Sequence, residues 1–348
     1  MPKSGSTGRG VKSNALATRC STIPGHMYCE RSLAAARKEL EEILATADGA
    51  PLKKAAGKGD VMANLWFSRA AHEFAAALGG AIGNSTSPEE KTDHLHFANK
   101  SLLPLCKQIV QAFITDQGMD GVRMDDGGML VGAGTAKPNP ALALPLRLNA
   151  LWYTALESTG QALRGQPPMG VPAAAGTRND PSGDHFERLA GRFRRSFAKA
   201  FWCDEHNRIC PIEHRTEPNH GALPDAEQVL ITMLPSSPLP RTKQREILTQ
   251  IETQAMGTKG VKINHPEHGL VESPLHWAWL AEGTAGSADN GPDFEKAAAI
   301  LRPAITLREA ARTGTLHAFY KDDAPIGPAD ALTAAEMLGA LERFLGTC

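Results

Sequence analysis

Apolar residues recur along most of this chain at helical spacing. Leu33, Leu40, Ile43 and Leu44 mark one face of a helix from about Arg31 to Thr46, and Leu65, Trp66, Ala70, Phe74, Ala77 and Leu78 mark a second. Leu102, Leu105, Cys106, Ile109, Val110 and Phe113 form the cleanest stripe. A long helix is predicted from Asn149 to about Leu163. Another runs through Phe186, Leu189, Ala190, Phe193, Phe197 and Phe201 and ends at Trp202. Weaker patterns fall near residues 225–234, 241–256, 274–283, 293–311 and 329–345. Alternating strand patterns are nearly absent, and Gly260–Asn264 is the best of them.

These stripes predict about ten helices joined by Gly/Pro-rich loops, an all-α protein of paired antiparallel helices. The longest loop, 165–183, is flanked by helical patterns of similar length and reads as a surface excursion within one domain spanning 21–348. Residues 1–20 are different in kind. No Asp or Glu precedes Glu30, and Lys3, Arg9, Lys12 and Arg19 sit among Ser, Thr and Gly without an apolar stripe. That composition predicts a disordered basic leader, and it lacks the apolar core of a cleavable export signal.

Composition narrows the function classes. The chain has 348 residues and a formal net charge of −1, so no global field favours nucleic acid or an anionic membrane surface. Its apolar runs are far shorter than the ~20 residues of a membrane span. Six cysteines are scattered with no C-x-x-C pair, which predicts reduced thiols in a cytoplasmic protein. Cys203, His206 and Cys210 lack a fourth partner for zinc, the remaining histidines have no metal-ligand spacing, and no metal site is expected. No P-loop, G-x-G-x-x-G after a strand or G-x-S-x-G occurs, so no nucleotide or other cofactor is called for.

The chemistry concentrates in Gly121-Val-Arg-Met-Asp-Asp-Gly-Gly-Met-Leu-Val-Gly-Ala-Gly134 and the helix start Leu148-Asn-Ala-Leu-Trp-Tyr-Thr-Ala-Leu156. A Gly-rich loop carries Asp125 and Asp126, and Trp152 and Tyr153 lie within one turn of Asn149. Carboxylate, amide and aromatic ring together suit a sugar cleft, with acceptors for hydroxyls and flat apolar faces for pyranose rings.

This pairing resembles the catalytic domain of bacterial and archaeal glycogen debranching enzymes, the amylo-α-1,6-glucosidases, with their M-D-x-D-G-L loop and G-K-P-V-E-I-N-A-L-W-Y helix. Further similarities follow in family order. Ile23-Pro24-Gly25 is similar to an L-P-G that begins an inner helix, Ala63-Asn-Leu-Trp-Phe67 to A-S-L-W-F, and Ser196-Phe-Ala-Lys-Ala-Phe-Trp202 to F-x-x-x-F-W. Trp277-Ala-Trp-Leu280 is similar to W-P-W-L, and Gly314-Thr-Leu-His-Ala-Phe-Tyr-Lys-Asp-Asp-Ala-Pro325 to G-S-I-S-E-I-F-D-G-D-x-P. The resemblance implies a six-hairpin (α/α)6 toroid of twelve helices with the cleft at one end. Ten helices imply that the first hairpin is missing or degenerate. It also implies an α-glucan or glucose-containing oligosaccharide as ligand, with Asp125, Asp126, Asn149, Trp152 and Trp277 as contacts. The family's additional N-terminal domain has no counterpart here, which calls for a smaller substrate or a partner protein supplying a polymer-binding surface.

The departures fall on polar positions. Ala15-Leu16-Ala17-Thr18 replaces W-G-R-D, Met62 stands at the proton-donor position, Arg147 replaces the Glu of V-E-I-N-A-L-W-Y, and His317 stands at the catalytic base. Inverting hydrolysis needs a protonated carboxylic acid and a carboxylate roughly 6.5–9.5 Å apart. Asp60, Glu272 and His317 are the nearest groups that could improvise acid–base chemistry. Two readings therefore stand: a glycosidase acting on α-1,6-linked glucose with weakened chemistry, or an inactive paralogue that binds α-glucan or an active debranching enzyme. Trp66 and Trp202 are expected in the core, and His94 and His96 in solvent.

Overall fold

A computed structural model describes residues 10–46, 60–115, 118–132, 146–166, 180–205, 207–209, 228–265, 267–288 and 292–346. The chain is mostly helical. It opens with α1 (Gly10–Glu30), α2 (Leu33–Thr46), α3 (Val61–Gly79), α4 (Ala81–Asn84), α5 (Pro88–Phe97) and α6 (Leu103–Ile114). The hairpin β1 (Val122–Met124) and β2 (Leu130–Gly132) leads to α7 (Leu146–Leu163) and α8 (Pro181–Phe201). A short ribbon, β3 (Trp202–Cys203) and β4 (Arg208–Ile209), precedes α9 (Gln228–Met233) and α10 (Arg241–Gln254). Then come β5 (Val261–His265), β6 (Gly269–Ser273), α11 (Pro274–Ser287), α12 (Phe294–Leu301), α13 (Arg308–Arg312), β7 (His317–Lys321), β8 (Ala324–Ala329) and α14 (Ala331–Leu345).

Local chemistry sets many of these boundaries. Asp60, Asp180, Asp293 and Asp330 cap α3, α8, α12 and α14 by accepting from free backbone N–H groups of the first turn. Ser87 and Glu90 form a capping box at α5, with Pro88 at the first helical position. Gly346, at φ +60°, ends α14 in the left-handed conformation.

Six helices contact one another in a closed circuit. α1 packs on α3, α3 on α7, α7 on α9, α9 on α11, α11 on α14, and α14 back on α1. Outside this circuit α2 packs on α1 and α3, α6 on α3 and α7, α8 on α7, α10 on α9 and α11, and α12 on α11 and α14. The α1–α14 crossing is very close. A Cβ on Gly25 would fall 2.2 Å from the Ala335 carbonyl oxygen, and one on Gly339 would fall 2.9 Å from the Gly25 Cα. Only glycine permits that approach.

Three expectations need correction. Residues 10–20 belong to α1 and are not part of a disordered leader: Cys20, Ile23 and Met27 are buried at i, i+3 and i+7, a stripe hidden by the surrounding Ser and Thr. For the same reason Pro24 and Gly25 lie inside that helix and do not begin it. The all-α reading also omits an antiparallel sheet in the order β5–β6–β7–β8, joined by pairs such as Ile263 with Val271 and Glu272 with Tyr320. Residues 1–9, 133–134, 167–179, His206 and Cys210 lie outside the described residues. No described helix is long and apolar enough to cross a membrane.

Candidate functional site

Asp60, Asn149, Trp152 and Trp277 lie at or just inside the N-terminal ends of the circuit helices α3, α7 and α11. The β1–β2 hairpin is clamped onto α7. Asn149 accepts the Leu130 N–H at 2.9 Å and donates to the Leu130 carbonyl at 3.4 Å, and the Trp152 indole N–H donates to the Gly128 carbonyl at 2.8 Å. Both side chains are fully buried, and the Trp152 ring packs 5.3 Å from Phe113. Trp277 is buried too and donates to the Ile300 carbonyl at 2.9 Å. These three expected sugar contacts are corrected: their polar atoms are engaged by backbone and their faces by core, so they present no surface to a ligand.

Asp125 and Asp126 occupy the hairpin turn. Asp125 is half-buried and accepts the Met129 N–H at 2.8 Å; burial raises its pKa, while backbone N–H groups of Met129, Gly127 and Gly128 oppose the rise. Asp126 is exposed. Of the five expected contacts, these two carboxylates can meet solvent.

The three acid–base candidates each hold a piece of local structure. Asp60 is buried and caps α3 through the Ala63 N–H at 3.0 Å, two residues before the partly buried Met62. Glu272 lies on β6, accepting the Lys259 N–H at 2.5 Å and the Thr258 hydroxyl at 3.4 Å, inside a turn where a Cβ on Gly257 would strike its carboxylate. His317 on β7 sits 2.7 Å from the Gly327 carbonyl through Nδ1. A carbonyl only accepts, so Nδ1 carries the proton and Nε2 is left as the basic nitrogen. Arg147 lies with its guanidinium 5.4 Å from the Trp279 ring centre. His94, expected in solvent, is buried edge-on against Phe74. Among the described residues no group of three His, Cys, Asp or Glu side chains is arranged to hold a metal ion.

A second feature lies at the other end of the circuit. The C-terminal halves of α1, α3, α7, α9, α11 and α14 line one cavity of about 390 Å³. Its wall carries charge. Arg69 on α3 is buried and forks onto Glu336 of α14 at 2.7 and 3.3 Å, with Glu73 at 3.6 Å. Arg343 pairs with Glu282 of α11 at 2.5 Å and lies 4.5 Å over the Tyr28 ring, whose hydroxyl donates to Glu73 at 3.3 Å. Burial opposes the Arg69 charge, but Glu336 and Glu73 outweigh it and hold its pKa above the usual arginine range. Burial raises the Glu282 carboxyl, Arg343 lowers it, and Glu73 and Glu336 push it up again. Sequence reasoning passed over this network. Its signal was present, since Arg69, His72 and Glu73 interrupt the apolar stripe of α3, and Glu282 and Glu336 interrupt those of α11 and α14.

His72, buried beside the cavity with Nε2 3.1 Å from the Thr159 hydroxyl, has its pKa lowered by burial to about 4. The unfolded chain takes up this proton near the ordinary value of 6.5 and the folded chain does not. Stability is therefore full above pH 6.5 and falls as pH drops toward 4. The expected loss from this group is about 3 kcal/mol, at 1.36 kcal/mol per unit. Urea unfolding across that range should show a shallower decline for His72→Gln than for the wild type; parallel curves would exclude His72 as the source.

No protein-family model matches the chain, and no curated protein matches it.

Proposed function

We propose that the chain is a six-hairpin, (α/α)6 toroid related to the glycogen debranching enzymes, and that it binds α-glucan without hydrolysing it. The closed circuit of six helices, each flanked by outer helices, supports the toroid. The observation that carries the loss of hydrolysis is the engagement of the acid–base candidates. Asp60 is spent on a helix cap and Glu272 on a turn, His317 offers an imidazole Nε2 where inverting hydrolysis needs a carboxylate, and Met62 stands where the resemblance puts the proton donor. Positioned acid–base groups contribute roughly 10²–10⁴-fold each, so losing two leaves little rate. The carboxylates that meet solvent, Asp125 and Asp126, remain suited to sugar hydroxyls. The ligand is a glucose-containing oligosaccharide, or a polymer end presented by a partner protein.

Two assays on the full chain test this. Incubation with branched limit dextrin is expected to release no glucose above a heat-inactivated control. Calorimetry against maltooligosaccharides is expected to show saturable heat that weakens in Asp126→Ala. Glucose release that disappears in Glu272→Gln or Asp60→Asn would make the protein an enzyme. Absence of binding at millimolar sugar would end the glucan reading altogether.

A further inference from the structure

The net charge of −1 conceals a local asymmetry on α8. This outer helix packs on α7 and buries Phe186, Phe193, Phe197 and Phe201 on one face. At roughly 100° per residue, Arg188, Arg192, Arg195 and Lys199 fall directly opposite that face, within an arc of about 60°. All four are exposed. Their spacing of i, i+4, i+7 and i+11 makes one straight row about 16 Å long, with a cation at each turn.

No acid balances the row. From Arg188 to the end of the helix there is no Asp or Glu. Asp184 belongs to the first turn, and Glu187 is taken by Arg164. The turn that carries Asp125 and Asp126 meets α8 on a separate flank, where a Cβ on Gly127 would fall 2.7 Å from the Ser196 hydroxyl. Among the described residues, none of Arg188, Arg192 and Arg195 is in an ion pair with a carboxylate. Like charges one turn apart repel each other, and an anion laid along the row relieves that repulsion.

The chemistry of the row selects the anion. Three of its four members are arginines, whose planar forks match phosphate oxygens. Cations repeated at every turn suit a chain of evenly repeated single charges. A lipid surface lacks an anchor here: the apolar side of α8 is in the core, and the exposed large apolar side chains among the described residues, Leu270, Phe294 and Ile305, lie on other elements. The row carries no aromatic ring on which a base could stack, so its contacts are to the backbone.

We infer that the outer face of α8 binds the phosphodiester backbone of a nucleic acid strand, without sequence preference, through Arg188, Arg192, Arg195 and Lys199. The site is separate from the Asp125–Asp126 turn and does not rest on the glucan reading.

Fluorescence anisotropy of a labelled oligouridylate, titrated with the full chain, tests the inference. Four phosphate contacts predict a slope of about −3 in log affinity against log salt, a loss on the order of 50-fold between 50 and 200 mM. Arg192→Ala, a single exposed change, is expected to make that slope shallower by about 0.7. The triple variant Arg188→Glu/Arg192→Glu/Arg195→Glu is expected to lose on the order of 100-fold or more in affinity. Lys38→Glu/Lys100→Glu/Arg302→Glu changes the net charge equally at exposed positions on other helices and is expected to bind like the wild type. Equal losses in the two triple variants would assign binding to overall charge and overturn the inference. So would binding to polyglutamate, or to equimolar phosphatidylserine–phosphatidylcholine vesicles, as tight as to the oligonucleotide. A salt slope shallower than about −1, or no binding at 50 mM salt with about 100 μM protein, would overturn it as well.

Discussion

Arg69→Met is expected to lower the free energy of unfolding by about 3–5 kcal/mol, the range for removing one partner of a buried ion pair. Methionine keeps much of the volume, so the loss reports charge. Without the guanidinium, Glu336 and Glu73 remain enclosed among α1, α3 and α14 with no cation bonded to them. The control is the double variant Arg69→Met/Glu336→Met. Taking both charges out of a buried pair is often neutral or stabilising, so the double variant should recover most of the stability. Urea unfolding followed by circular dichroism measures both. A single variant that loses less than about 1 kcal/mol would mean the pair is solvated like a surface salt bridge.

Trp152→Ala is expected to cost a similar amount, about 3–5 kcal/mol, as for large aromatic truncations in a packed core. The side chain is fully enclosed, packs on Phe113, and holds the hairpin through the Gly128 carbonyl. Amide exchange at Met129 and Leu130 should accelerate beyond the global change, because their partners Asp125 and Asn149 depend on the hairpin staying seated on α7. Trp152→Phe keeps most of the apolar contact and loses the indole donor, and should fall between wild type and Ala. If Trp152→Ala unfolded at the wild-type temperature while losing maltooligosaccharide binding, Trp152 would be the sugar platform that its place beside Asn149 suggests in the sequence.

The helical framework was legible because its stripes are long. Leu102 to Phe113 and Phe186 to Phe201 repeat their apolar residues over three turns or more, and both became helices with those faces buried. The four-stranded sheet was not legible. Its edge strand β8 carries Pro325, Gly327 and Pro328, residues tolerated at an edge but read in isolation as a loop. Trp152 and Trp277 illustrate a different limit. Spacing places an aromatic ring on a helix, but only the packing of neighbours decides whether that ring faces a cleft or a core. The cavity network lies beyond any local pattern, since the Arg69–Glu336 fork joins residues 267 apart in sequence.

The close crossing of Gly25 and Gly339 also governs the order of assembly. The circuit closes through its first and last helices, so backbone contact between them waits until α14 has left the ribosome. Until then α1 and α11 expose the apolar faces that α14 covers, and the carboxylate of Glu336 destined for Arg69 does not yet exist. Long loops must be closed before these contacts contribute, which slows folding and prolongs the exposure of sticky surface. A chain truncated before Ala331 therefore resembles a nascent intermediate: its helices are formed, its seam is open, and its natural fate is capture by a chaperone or association with its own kind.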